Sequence, residues 1–121
     1  MLQRNLSTIP LYEDLKPWEL DAVATECGPQ WFPRFIAKHI PQYTFRDPCR
    51  QHDFDYWVGG TELDRKITDL KFFVRMLKSG PNKKEAWRYY KLVRQFGWVS
   101  FHYGEKRTYA DLEIAVDEYL A

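Results

Sequence analysis

One ten-residue stretch, Asp47-Pro-Cys-Arg-Gln-His-Asp-Phe-Asp-Tyr56, constrains this chain more than any other. Asp47 is a good N-cap, and Pro48 suits the first helical position, where its missing N–H costs nothing. A helix starting there carries Cys49, His52, Asp53 and Tyr56 at i, i+3, i+4 and i+7, on one face. A thiol, an imidazole, a carboxylate and a phenol then share one stripe. A base beside a hard-cation ligand is the core of a hydrolytic centre, so the rest of the chain has to supply its partners.

The pattern around this helix predicts an all-α domain spanning residues 1–121. Residues 1–15 read as irregular or extended, broken by Pro10. Pro17 opens a short first helix, with Trp18, Leu20, Val23 and Ala24, to about Thr25. A Cys27-Gly28-Pro29 loop follows, then an aromatic-rich segment, Trp31 to Ile40, that reads as a short helix ended by Pro41. Gly59-Gly60 stops the Asp47 helix, and Thr61 caps the next, with Asp64 three residues on as an imperfect capping box. That helix has the apolar stripe Leu63, Ile67, Leu70, Val74 and Leu77 at a clear helical period, and Ser79-Gly80-Pro81 terminates it. A further helix runs from about Asn82 to Phe96, with a kink or stop at Gly97 and a packing stripe of Trp87, Tyr90, Leu92 and Phe96. Lys83, Lys84, Arg88 and Lys91 read as its solvated face. Thr108 begins the last helix, with Leu112, Ala115, Val116 and Tyr119 on its buried side.

Composition narrows the partners. The 18 basic residues against 17 acidic ones leave +1, which gives no global electrostatic case for nucleic acid. No apolar run approaches the length of a transmembrane helix, and the polar start, Met1 to Thr8, lacks the apolar core of a signal peptide. The location stays open between cytoplasmic synthesis with later release and a particle-associated role. Aromatic content of 17% suits either a core or a wet apolar interface such as a lipid surface. The two cysteines, Cys27 and Cys49, permit one disulfide or two thiols and match no zinc site.

A general base needs a second group that fixes its tautomer and steadies the cation it becomes. The Thr61 helix offers Asp64 and Asp69. At about 100° per residue, Asp64 falls among Thr68, Lys71 and Arg75 on a solvated face. Asp69 lies beside Phe73 and Met76, at the edge of the apolar stripe, where a neighbouring helix can partly bury it. The tight Gly59-Gly60 connection makes the two helices an antiparallel pair, so the sequence favours Asp69 for a dyad with His52. Asp53 diverges from His52 by about a quarter turn and is better placed as an oxygen ligand. Calcium takes six to eight oxygens and accepts carbonyls, which a loop such as Glu26-Cys27-Gly28-Pro29-Gln30 can turn towards one point.

The spacing Cys-x-x-His-Asp-x-x-Tyr resembles the signature helix of secreted-type phospholipase A2. The wording from Pro48 to Arg65 is closer in look to small prokaryotic and phage-borne members than to venom or pancreatic enzymes. The likeness covers roughly residues 26 to 77. It implies a phospholipase A2-like all-α fold, with two antiparallel helices carrying the His/Asp site, a calcium loop and additional C-terminal helices. It also implies a Cys27–Cys49 disulfide and hydrolysis of a glycerophospholipid acyl ester at sn-2. His52 would activate a water, Asp69 would orient His52, and Tyr56 would steady Asp69. Calcium would be held by Asp53 and the carbonyls of Glu26, Gly28 and Gln30, and would polarise the ester carbonyl. The Gly28 N–H would receive the developing oxyanion. The partner implied is a phospholipid membrane surface, bound peripherally. Three departures stand out: Gln30 replaces the second loop glycine, the interval Trp31 to Arg46 is long, and most animal-type disulfides are absent.

Trp31, Phe32, Phe35 and Ile36, with Arg34 and Lys38, form an apolar, weakly basic cluster of which Trp31 best fits lipid contact. His39 and His102 lack such partners and read as ordinary surface or interface histidines. Two other functions compete. A non-catalytic lipid- or protein-binding module on the same fold, as in a phage particle or toxin, is favoured by weak calcium binding at Gln30. A metal-dependent phosphohydrolase would need more His and Asp ligands at helical spacing than a chain with three His supplies.

Overall fold

Five α-helices form among the described residues of the computed structural model, 4–24 and 42–121. They are α1 (Pro17–Val23), α2 (Gln42–Val58), α3 (Glu62–Ser79), α4 (Lys83–Phe96) and α5 (Tyr109–Leu120). Short 3-10 turns lie at Tyr12–Asp14 and Gly97–Val99, and the described residues contain no β-strand. The loop holding Glu26, Cys27, Gly28 and Gln30, and the Trp31–Ile40 segment with its Pro41 stop, lie outside the described residues. α1 ends at Val23, two residues before the expected Thr25.

The central helix departs from expectation at its start. α2 begins at Gln42, so Asp47 is not its cap and Pro48 lies inside it. An internal proline withholds one helical hydrogen bond and costs about 3 kcal/mol. Packing offsets that cost, because the extra turn carries Phe45, which is fully buried against α3 and α4. Asp47 instead accepts hydrogen bonds from Tyr12 Oη (3.1 Å) and from Gln51 Nε2 (2.7 Å), the latter one turn on.

α2 is buried on two sides. Phe45, Cys49, His52 and Tyr56 follow the i, i+4, i+7, i+11 rhythm of one face and meet α3 and α4. Phe54 and Val58 point the other way and join Leu15, Ala24, Tyr109 and Leu112 in a second core with α1 and α5. A helix with apolar residues on opposite sides shows little amphipathic contrast in sequence.

The α2–α3 turn requires its glycines. Gly59 has φ +83°, and a Cβ there would lie 2.1 Å from the His102 carbonyl oxygen. The Gly60 N–H donates to that same oxygen at 2.9 Å, and Gly60 pairs with Tyr103 in an isolated parallel bridge. The chain after α4 is thereby tied to the turn, with the His102 N–H donating to the Tyr56 carbonyl (3.2 Å) and the Arg107 N–H to the Val58 carbonyl (2.8 Å). His102 is thus an interface histidine of this junction. Thr61 and Asp64 form the capping box at the start of α3, and Thr108 with Asp111 forms another before α5.

Three apolar stripes depart from expectation in part, although Leu77, Leu92, Leu112 and Val116 do pack on the cores. On α3 the buried residues are Arg65, Asp69, Phe72 and Met76, while Leu63, Ile67, Leu70 and Val74 are 41–66% exposed. The ion pairs of Asp69 and Arg65 turn that side inward, so the most hydrophobic stripe faces out. On α4, Ala86, Tyr89 and Val93 are buried while Trp87 and Phe96 are exposed. On α5, Leu112 is buried with Val116 packed against the same core as expected, and Tyr119 at the end of the stripe is exposed.

Candidate functional site

The antiparallel pairing of α2 and α3 brings His52, Tyr56 and Asp69 into one buried cluster. His52 Nε2 lies 2.7 Å from Asp69 Oδ1, and Tyr56 Oη donates to the same oxygen at 2.6 Å. The His52 ring is held between Tyr56 (centroids 4.2 Å apart) and Phe72 (4.4 Å, stacked). Asp69 has no exposed surface. A carboxylate so buried must be paired and fully hydrogen-bonded.

The rest of that pairing comes from two arginines that sequence reasoning did not single out. Arg94, on α4, donates to Asp69 Oδ2 at 2.7 Å, and Arg65, one turn before Asp69 on α3, lies 3.5 Å from the same oxygen. Arg65 also donates to the Val93 carbonyl (3.0 Å) and to Glu62 (2.8 Å). Glu62 in turn accepts from Tyr103 Oη and lies 3.4 Å from Arg94. Two carboxylates therefore face two guanidiniums, which neutralise one another when the imidazole is neutral. Arg65 is legible in principle, since Arg and Asp four apart share a helical face. Arg94 is 25 residues away on another helix, and no local spacing announces it.

The electrostatics follow from these contacts. Burial alone would push the Asp69 carboxyl up, but the hydrogen bond and charge of His52, with the bonds from Tyr56 and Arg94, hold it below its ordinary value. Burial, then the Asp69 charge, raises the Tyr56 phenol, which stays a neutral donor. Arg65, Tyr103 and Arg94 hold the Glu62 carboxyl down at about 2. An ionised carboxylate only accepts, so the geometry assigns the proton between His52 and Asp69 to Nε2. In the neutral imidazole, Nδ1 is then the nitrogen that carries the lone pair.

Gly97 completes the cluster from behind. A Cβ at this position would lie 2.2 Å from Tyr56 Oη, so only glycine lets the phenol reach Asp69. The sequence marks Gly97 as a helix stop, and α4 does end there, but its contact with Tyr56 is visible only in three dimensions.

The remaining site residues fall elsewhere. Asp64 caps α3 by accepting from the Thr61 N–H (2.8 Å) and lies 3.4 Å from Lys106, away from His52. Asp53 is half-buried on α2, next to His52 in the chain. Glu26, Gly28 and Gln30 lie outside the described residues. Among the described residues no cluster of three or more His, Cys, Asp or Glu side chains could hold a metal. The implied donor set of one carboxylate and three carbonyls is all oxygen, which suits a hard cation such as calcium. Cys49 is buried and is not a free thiol.

No helix among the described residues is long and apolar enough to cross a membrane. No protein-family profile matches the chain, and no curated protein or solved structure is significantly similar to it.

Proposed function

We propose that this chain is a calcium-dependent, phospholipase A2-like hydrolase of glycerophospholipid acyl esters, acting at sn-2. The observation that carries the reading is a buried, ionised Asp69 bonded to one nitrogen of His52, which leaves the other free to act as a base. His52 Nδ1 takes a proton from a water whose oxygen attacks the ester carbonyl. The same nitrogen then returns that proton to the departing alkoxide, giving a fatty acid and a lysolipid. Asp69, steadied by Tyr56, holds the imidazole in register through both transfers. The Gly28 N–H donates to the oxyanion as it develops. Asp53 and the carbonyls of Glu26, Gly28 and Gln30 would hold calcium, which when bound would supply Lewis-acid polarisation of the ester carbonyl. Cys49 pairs with Cys27, anchoring the calcium loop to α2. Two alkylatable thiols in the unreduced protein would remove that pairing.

A second reading has one observation in its favour. Arg65 and Arg94 both draw on the Asp69 charge, as they would in a structural ion-pair network without turnover, on a lipid- or protein-binding module. Fatty-acid release from phospholipid vesicles, with calcium and after chelation, separates the two. The hydrolase reading expects release that disappears on chelation and in His52→Ala. Folded protein that releases nothing in either condition overturns it in favour of the binding module.

A further inference from the structure

The exposed stripe on α3 does not stand alone. Ile67, Leu70 and Val74 floor a shallow depression of about 340 Å³ that Lys71, Arg75 and Lys78 complete. Arg75 and Lys78 also line a second, larger cleft of about 640 Å³ with Arg46 and Arg50 of α2. An apolar surface and a cationic cleft thus meet along one shared wall. Carboxylates temper the cleft: Asp47 lies in its lining, Asp55 is 3.5 Å from Arg75, and Asp21 pairs with Arg50. From Lys66 to the end of α3, the one acid is the buried Asp69, while Lys66, Lys71, Arg75 and Lys78 flank the stripe. The stripe is centred roughly 130° around the helix from Asp69, so this face is separate from the imidazole–carboxylate cluster.

We infer that the Leu63–Val74 stripe of α3 and the adjoining Arg46/Arg50/Arg75/Lys78 cleft form a docking surface for an anionic phospholipid membrane. α3 lies in the interfacial plane with its apolar stripe among the acyl chains, and the cleft stands at headgroup depth against lipid phosphates. Charge decides the occupant. A second copy seated on the same stripe would set Lys66, Lys71 and Lys78 against their own images, whereas an anionic surface complements all of them. This surface deepens the lipid reading of the site and takes from it only the class of partner.

The test is co-sedimentation with phosphatidylcholine vesicles and with equal-part phosphatidylcholine–phosphatidylglycerol vesicles, in chelator so that turnover is off. Wild type and His52→Ala are expected to bind the anionic vesicles alone, and to be released by high salt. Leu70→Gln/Val74→Gln and Lys71→Glu/Lys78→Glu should each weaken binding about tenfold or more, while Lys83→Glu/Lys84→Glu on α4 should not. The side chains substituted on α3 and α4 are solvent-exposed, and thermal melts verify that these variants and His52→Ala remain folded. The surface is overturned by equal binding to both vesicles, by no binding of folded wild type, or by stripe variants that bind as wild type. A wild-type dimer that Leu70→Gln/Val74→Gln dissolves also overturns it, in favour of a second copy. Binding without fatty-acid release counts against the hydrolase reading alone. Release from a dispersed short-chain substrate without vesicle binding counts against the docking surface alone.

Discussion

Tyr56 and Gly97 test the geometry of the buried cluster as a pair. Tyr56→Phe removes one hydrogen bond of 2.6 Å to a fully buried carboxylate and keeps the ring between His52 and Phe101. Hydrogen bonds to charged groups are worth about 1.5–3 kcal/mol. His52, Arg94 and Arg65 continue to serve Asp69, so the loss should sit near the lower end, about 1.5–2 kcal/mol. Gly97→Ala acts on the same bond from the other side. Gly97 has φ −63°, which any residue adopts, so alanine meets no backbone penalty. Its methyl would lie 2.2 Å from Tyr56 Oη and 3.1 Å from the Cε2 and Cζ ring carbons. Relief requires the hydroxyl to leave Asp69, and overpacking of this kind costs about 1–3 kcal/mol. With Phe at position 56 the closest clash is gone and the ring need shift only slightly. The double variant should therefore be more stable than the sum of the single losses predicts, by about 1 kcal/mol. Urea denaturation followed by tryptophan fluorescence and by far-UV circular dichroism measures all four corners of the cycle. Additivity within about 0.5 kcal/mol, or a stabilising Gly97→Ala, would show that Gly97 does not hold Tyr56 on Asp69.

Asp69→Asn leaves Arg65 and Arg94 facing a neutral group in the interior, and should cost about 3–5 kcal/mol in denaturant unfolding. On the hydrolase reading it should also cut turnover on the order of 10³-fold or more, because the amide no longer orients the imidazole. A variant as stable as wild type would mean that the arginines do not depend on this carboxylate. Acid should destabilise the protein through the same cluster. Asp69 and Glu62 have lowered folded-state pKa values, so their contribution is fully present above the unfolded carboxylate range of about 4. It is lost as pH falls through the folded values, about 2 for Glu62, and denaturant midpoints should drop across that window. Asp55, raised by burial, works in the opposite sense, so a flat or rising midpoint below pH 4 would show that Asp69 and Glu62 do not dominate. Arg94→Gln should lower stability by about 1–3 kcal/mol in the same denaturant unfolding, and a variant as stable as wild type would show that Asp69 does not depend on this guanidinium.

Much of the helical frame is legible in local sequence. Thr61 with Asp64 and Gly80 with Pro81 bracket α3, because caps and stops act over three or four residues. The same locality makes the preference for Asp69 over Asp64 readable, since Asp64 is engaged by its own cap. Where local rules mislead, a distant contact has overruled them. Asp47 and Pro48 form a textually good helix start, yet burial of Phe45 against α3 and α4 carries α2 six residues further back from Pro48.

What the sequence by itself determined is the five helices of the described residues, the stops after α2, α3 and α4, and a helical face on which Cys49, His52 and Tyr56 stand together. Those features depend on spacing along one chain segment, and 3.6 residues per turn is enough to read them. Tertiary structure decided which side of each helix faces inward. The stripe richest in leucine and isoleucine on α3 looks outward, because Asp69 and Arg65 find ion pairs and hydrogen bonds only at the junction with α2 and α4. Tertiary structure also brought Arg94 to Asp69 and set Gly97 behind Tyr56, contacts between helices far apart in sequence that no periodicity encodes.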